Sequence, residues 1–332
     1  MNAQNKSSSR TVALTVIFVL PIIWGTTFAA VQQAFVDITP MTYAVVRFVA
    51  VSILFLVFSR SARRGARILF WPRNKPERQF RRDMMALGAA LGAGYLLQSI
   101  GLLTTTTSKS AFLTSTSVIW TPLFSWLIGR ERMSKKLLVA VIVTVAGIFL
   151  MTQPFREQGF VIGDILTIGC ALAFGVYIIL IDRAIGRVSA EDGTHHALAA
   201  SEHEAAIMVT SSQIVVASMI FVVFLFLFDT PRFHITPYVV ASLIYTGLVA
   251  TVLTAYLQAR YQNHVTPASA AIIYMLEPLV AMIIGMIFLH ERIGIPGMLG
   301  GGLIILGVII AQVKFETLWG STQEAATPAS DY

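Results

Sequence analysis

The segment Met275–Arg292 reads MLEPLVAMIIGMIFLHER and sets a carboxylate, Glu277, beside a proline inside a long apolar run. Twelve uncharged residues precede Glu277 (Val265 to Leu276) and twelve follow it (Pro278 to Leu289). At ~1.5 Å of rise per helical residue, the charge stands ~18 Å from either end of the run. The hydrocarbon core of a bilayer is ~30 Å thick, so a helix over this run puts Glu277 near the midplane. Holding it charged against lipid there costs ~2.5–3.5 kcal/mol or more. The side chain is therefore expected to face a cavity or a polar partner, and three roles are open to it. It can bind and release a proton as a cavity switches sides, hold an ammonium group of a substrate, or fix helices by hydrogen bonds. Pro278 removes one backbone hydrogen bond on the same turn and exposes carbonyls close to Tyr274.

The rest of the chain shares this character. Of its 332 residues, 56% are hydrophobic and 12% charged, against about 25% charged in soluble domains. Such a chain cannot cover a water-facing surface, so lipid is its expected solvent. A single cysteine, Cys170, leaves no internal disulfide framework and no thiolate metal cluster. Ten apolar segments lie at about 11–36, 40–59, 84–107, 110–129, 137–154, 164–182, 205–228, 236–259, 266–290 and 295–313. Each is near the ~20 residues that a spanning helix needs. Lipid offers no partner to an open sheet edge, so the expected fold is all-α and integral to the membrane, with ten transmembrane helices. Arg60–Asp83 and Asp182–Glu204 read as the two long loops, and neither is long enough for a separate domain. The first apolar run is too long for a cleaved signal peptide, and no small-residue cleavage site follows it.

Lysine and arginine set the direction. With the N-terminus inside, nineteen of the 24 basic residues fall on inner segments, including nine from Arg60 to Arg82. The outer loops hold four: Lys109, Arg156, Arg232 and Arg292. The expectation is a protein of the bacterial cytoplasmic (inner) membrane with both ends cytoplasmic, residues 1–10 forming the N-terminal segment and 315–332 the tail. The Arg60–Arg82 run reads as a cytoplasmic stop signal touching anionic lipid, and no nucleic-acid partner is expected.

The two halves echo each other. IWGTTFAAVQQA (23–34) matches AFGVYIILIDRA (173–184), aligning Gly25 with Gly175. VRFVAVSILFLVF (46–58) matches SQIVVASMIFVVF (212–224), aligning Arg47 with Gln213. IWTPLF (119–124) matches MLEPLV (275–280), aligning Pro122 with Pro278 and Thr121 with Glu277. VAGIFL (145–150) matches ILGVII (305–310). The repeats run over 11–154 and 160–314. Five spans per repeat is an odd number, so the second enters the membrane inverted. Inverted repeats are a hallmark of secondary transporters, whose substrate site lies near the midplane at the repeat interface. A central cavity is the expected consequence.

The early Trp24–Gly25 pair, Pro122 in the fourth span, Glu277–Pro278 in the ninth, and the closing GRERM (129–133) and LHERI (289–293) together resemble the EamA family of the drug/metabolite transporter superfamily. The resemblance covers about residues 11–314. It implies two five-helix repeats around a cavity and transport of small metabolites, often outward: amino acids and their derivatives, purines, drugs or quaternary cations. In two places the chain departs from a symmetric pattern. Nine residues separate Pro122 from Glu131 against thirteen from Pro278 to Glu291, and Thr121 stands where the second repeat has Glu277.

Polar and aromatic side chains inside spans need partners in lipid, so most should face the bundle interior. The substrate-binding candidates are Glu277, Tyr274, Trp24, Tyr95, Gln98, Trp120, Thr121, Tyr177 and Tyr256; Pro122 and Pro278 are candidate hinges. The expected cavity walls are the first, third, fourth, sixth, eighth and ninth spans. An aromatic, mostly uncharged cavity suits a substrate with an apolar body and a polar or zwitterionic head. Arg47, inside the second span, is open to snorkelling, an ion pair or an anionic substrate group. The Gly88–Gly94 and Gly297–Gly302 clusters read as close helix packing. EDGTHHALAASEHE (191–204) reads as a solvated linker, so no metal or cofactor is expected. No H-E-x-x-H, G-x-S-x-G or G-x-x-x-x-G-K-[ST] occurs. The expected function is not enzymatic: secondary transport, more readily export, of an amino acid or related zwitterion by alternating access, proton coupling being left open, by a monomer or homodimer. An intramembrane enzyme on a lipid-like substrate and a non-transporting sensor or scaffold are the alternatives.

Overall fold

A backbone in lipid must satisfy its own hydrogen bonds, and this chain does so with helices. The computed structural model describes residues 3–104, 110, 113–128, 134–152, 161–189, 198–199, 201–228, 230–288 and 294–312. Among them there is no strand, only an isolated bridge between Ile38 and Phe233. In chain order the helices are α1 (Ala3–Ala34), α2 (Pro40–Phe58), α3 (Arg60–Phe70), α4 (Lys75–Gly101), α5 (Ser117–Leu127), α6 (Lys135–Thr152), α7 (Ile162–Ser189), α8 (Glu202–Phe228), α9 (Pro237–His264), α10 (Pro267–Tyr274), α11 (Leu276–Phe288) and α12 (Ile295–Gln312). Five of them, α2, α4, α7, α8 and α9, are long and apolar enough to cross a membrane. Shorter apolar stretches occupy Thr11–Thr27, Pro267–Ala281 and Ile295–Ala311. The GRERM and LHERI segments, His195, His196 and the tail lie outside the described residues.

Several starts are written in the sequence as a cap followed by proline. The Thr236 hydroxyl accepts from Val239 N at 3.3 Å ahead of Pro237, and Thr266 accepts from Ser269 N at 3.2 Å ahead of Pro267. Asn74 accepts from Glu77 N at 2.9 Å ahead of Lys75–Pro76. The cap satisfies an orphan donor, and proline loses nothing in the first turn.

The Arg60–Asp83 segment is not a loop. Ser59 caps α3, which buries Ala62, Gly65, Ile68 and Leu69 against α8 while Arg60, Arg63 and Arg64 point outward. A side chain at Gly65 would stand 2.7 Å from the Ser212 hydroxyl, so the bare backbone is what lets α3 close on α8. Helical spacing of four small or apolar residues outweighs the charge density here. The second long connection is shorter too, because α7 continues to Ser189.

The two halves interlock at matching points. A Cβ added at Gly25 would lie 2.7 Å from the Glu277 carbonyl oxygen and 2.8 Å from Val280 Cβ, which marks close packing of α1 on α11. At Gly175, the aligned position, it would lie 3.0 Å from Trp120 Cβ and 3.4 Å from Thr121 N, where α7 packs on α5. Gly147 of α6 meets the Gly300 carbonyl of α12 in the same way, at 2.7 Å. α4 packs on α7 and α8, and α2 on α8.

Gly25→Val should therefore cost about 1–3 kcal/mol through overpacking. Gly186→Ala, where an added Cβ meets nothing within 4 Å, should be neutral or stabilising by up to ~1 kcal/mol. Thermal unfolding of the purified variants in detergent measures both.

Candidate functional site

α10 stops at Tyr274, Met275 forms a turn, and α11 restarts at Leu276 with Pro278 in its first turn. The break sets Glu277 in the first turn of α11, where unpaired N–H groups favour a carboxylate. Glu277 lines a cavity of about 640 Å³. It has no hydrogen bond or ion pair with any other described residue.

Aromatic rings wall the space beside it. The Trp24 indole N–H donates to the Thr254 hydroxyl at 3.2 Å, and its ring meets Tyr274 edge-on at 5.1 Å. Tyr95 meets Phe48 and Phe174 edge-on at 5.4 and 5.6 Å. Gln98 Nε2 donates to Thr114 Oγ1 at 3.3 Å. A polar network joins three helices: the Tyr177 hydroxyl donates to Gln258 Oε1 (3.3 Å), Gln258 Nε2 to Gln262 Oε1 (2.7 Å), Gln262 Nε2 to the Ile178 carbonyl (2.7 Å) and the Tyr274 hydroxyl to Gln262 Oε1 (3.0 Å). Each member satisfies another, as burial without water demands.

Trp24, Tyr95, Gln98, Tyr177, Tyr274, Glu277 and Pro278 all line the cavity. Trp120, Thr121, Pro122 and Tyr256 lie outside its lining. Thr121 and Pro122 are buried in α5, with the Thr121 hydroxyl donating to the Ser117 carbonyl at 2.9 Å. The Trp120 ring stacks on Phe124. Tyr256 shares a 2.8 Å hydrogen bond with His203 Nδ1. The second span also contributes to the walls, through Tyr43, Arg47 and Phe48, and the seventh contributes Ile214.

Two features of the wall lie outside the substrate-binding candidates named from the sequence, although Arg47 was open to an anionic substrate group. Arg47 is 7% exposed and does not snorkel: its Nε donates to Thr251 Oγ1 at 2.7 Å, and its guanidinium lies 5.4 and 5.5 Å from the Phe48 and Tyr95 ring centres. Thr251 itself sits in a π-helical stretch of α9, Tyr245–Leu253, where its hydroxyl donates five residues back to the Thr246 carbonyl at 2.8 Å. Such stretches recur at functional sites. The signals available were a lone arginine within a span and the threonines of TGLVATVLT (246–254).

The cavity lies toward one end of the bundle and reaches inward to Tyr177 and Gln258. On α1 its lining runs from Trp24 to Val31, on α2 from Pro40 to Phe48 and on α4 from Leu91 to Ser99, each the half remote from Arg60–Asp83. The opposite, basic end is tied across the halves by Arg64–Glu204 (2.9 Å) and Arg187–Asp83 (2.8 Å). Arg260 pairs with Glu202 there as well.

An aromatic cavity with a carboxylate at a helix break, inside a bundle whose helices suit lipid, is the build of a small-molecule transporter. The chain belongs to the EamA-like transporter family, which matches residues 11–153 and 161–312, one stretch in each half. It is 29% identical over 293 residues to an uncharacterised transporter of Archaeoglobus fulgidus, covering 88% of this chain and 83% of that one. It is 22% identical over 307 residues to the uncharacterised transporter YoaV of Bacillus subtilis, covering 90% and 96%. A crystal structure of a protein superposes with a TM-score of 0.70 at 13% identity, over 91% of this chain and 98% of the other, a likeness of fold alone.

Gln262→Leu would leave the Tyr274 hydroxyl, Gln258 Nε2 and the Ile178 carbonyl buried without their partner. A loss of about 1–3 kcal/mol is expected, read as a lowered unfolding midpoint in detergent.

Proposed function

We propose that this protein is a secondary transporter that exports a small metabolite, an amino acid or related zwitterion, across the bacterial inner membrane by alternating access. The observation that carries the reading is Glu277: a carboxylate in a cavity wall, at a helix break, with no partner among the described residues. A group so placed can take a proton or an ammonium group, and either event alters the charge that the closed cavity must hold. Trp24, Tyr95, Gln98, Tyr177 and Tyr274 supply the walls for the substrate's body and polar head. Membership of a transporter family supports transport, and the outward direction follows the family resemblance.

The topology proposed is ten spans in two inverted repeats, with both ends cytoplasmic. On this reading the basic end faces the cytoplasm and the cavity reaches toward the outside. The Tyr177–Gln258–Gln262–Tyr274 network is then the floor that parts when the cavity turns inward, with Pro278 and Pro122 as the places where α11 and α5 bend. Tyr256, Trp120 and Thr121 come into contact with substrate only after such a change.

Glu277→Gln keeps the shape of the side chain and removes its charge. It should fold as the parent does, yet lose substrate flux in proteoliposomes by about tenfold or more, or lose the pH dependence of that flux, a change of ~1.4 kcal/mol. Wild-type flux from mildly acidic to mildly alkaline pH would leave Glu277 with a purely structural role. For topology, Arg63→Cys and Thr230→Cys, each at an exposed position and in a Cys170→Ala background, should react with an impermeant thiol reagent from opposite faces. Reaction of both from outside the cell defeats the orientation.

A further inference from the structure

Among the described residues, Arg47 is the one charge in the cavity wall besides Glu277. A guanidinium stays protonated at any physiological pH, so unlike a lysine it cannot enter an apolar wall by becoming neutral. Among the described residues it has no ion pair. Its contacts are all neutral: Thr251 Oγ1 at 2.7 Å, the Ala250 carbonyl at 3.5 Å from Nη2, and the rings of Phe48 and Tyr95. Of the five N–H groups of an arginine, these two hydrogen bonds use two. The Tyr95 hydroxyl stands close enough to accept another, and the N–H groups left over suit a carboxylate entering the cavity.

The repeat alignment sharpens the point. Gln213, the counterpart of Arg47, is neutral, and so is Thr121, the counterpart of Glu277. Each half has thus placed a charge where the other half has none. The two charges have opposite sign and line one cavity, and they do not pair with each other. The π-helical stretch of α9 holds Arg47 from behind through Thr251 and Ala250, while the break at Met275 presents Glu277.

We infer that Arg47 binds the carboxylate of the substrate while Glu277 holds its ammonium group, so that the cavity selects free α-amino acids over amines, quaternary cations and simple acids. This rests on the transport reading above and names its substrate class.

The test is binding to the purified full-length protein in detergent. Thermal shift ranks the proteinogenic L-amino acids. Calorimetry then compares the best of them with the amine that lacks its carboxylate and the acid that lacks its amino group. The wild type should bind the amino acid about tenfold or more tighter than either. Arg47→Gln should bring the ratio of amino acid to amine close to one while leaving affinity for the amine near wild type. Glu277→Gln should do the same for the ratio to the acid. Arg47→Lys, which keeps the charge without the fork, should give an intermediate ratio, and it decides the matter if Arg47→Gln does not fold. The inference is overturned if no amino acid stabilises the wild type, if the amine binds it as tightly as the amino acid, or if the Arg47 variants keep the wild-type ratio. These ratios without flux in proteoliposomes would defeat the transport reading and leave this one standing. Flux of the amine at the rate of the amino acid would do the reverse.

Discussion

A bilayer interior solvates neither a charge nor an unpaired amide. That single constraint orders this structure. It makes the described chain helical and draws the polar side chains of the spans inward, where Gln258 and Gln262 satisfy each other as well as Ile178 and Tyr274. It also makes close backbone approach valuable, because apolar lipid gives helices no hydrophobic reason to associate. Gly25 and Gly175 answer that need at equivalent places, and Gly147 answers it at the seam of α6 and α12.

The same constraint explains where the helices are irregular. Free carbonyls and displaced turns are tolerated at membrane depth only where they are buried in protein or line a cavity. Two departures in the second half do so. The turn at Met275 separates α10 from α11 and brings Glu277 to a helix start. The π-helical stretch Tyr245–Leu253 supplies Thr251 and the Ala250 carbonyl to Arg47. Two bends in two different spans thus meet one cavity, and each carries a charge to it.

Much of this is legible in the sequence alone. Apolar run length and proline placement located the helices, the repeat alignment paired Gly25 with Gly175, and the cost of a midplane carboxylate pointed Glu277 toward a cavity. Other features were hidden for identifiable reasons. The α3 segment RSARRGARILF was weighed by its charge, although its small and apolar residues recur at helical spacing and bury one face. Arg47 reads as open to snorkelling, an ion pair or a substrate group, because sequence distance to a helix end says nothing of which neighbours offer a hydroxyl and two rings. Thr121 and Pro122 match Glu277 and Pro278 in the repeat, yet Gly175 packs tightly against their turn and the cavity reaches α5 only at Ser117. A repeat alignment predicts equivalent positions, and it cannot predict which copy of a position is open in one conformation.

That last difference bears on how such a bundle would work. Glu277, at the seam with Gly25, lines the cavity, while Gly175 and Thr121 lie outside its lining. On the inverted-repeat reading, the opposite-facing state is built by exchanging their roles: the α5–α7 seam loosens as the α1–α11 side closes. If both seams were chemically alike, the two states would hold a substrate equally well. They are not alike, because one carries a carboxylate and the other a hydroxyl already committed to the Ser117 carbonyl. A ligand that engages Glu277 therefore has unequal contact with the two states, and only unequal contact can shift an equilibrium between them. On that reading, the asymmetry between Thr121 and Glu277 gives substrate binding a direction in which to push the bundle.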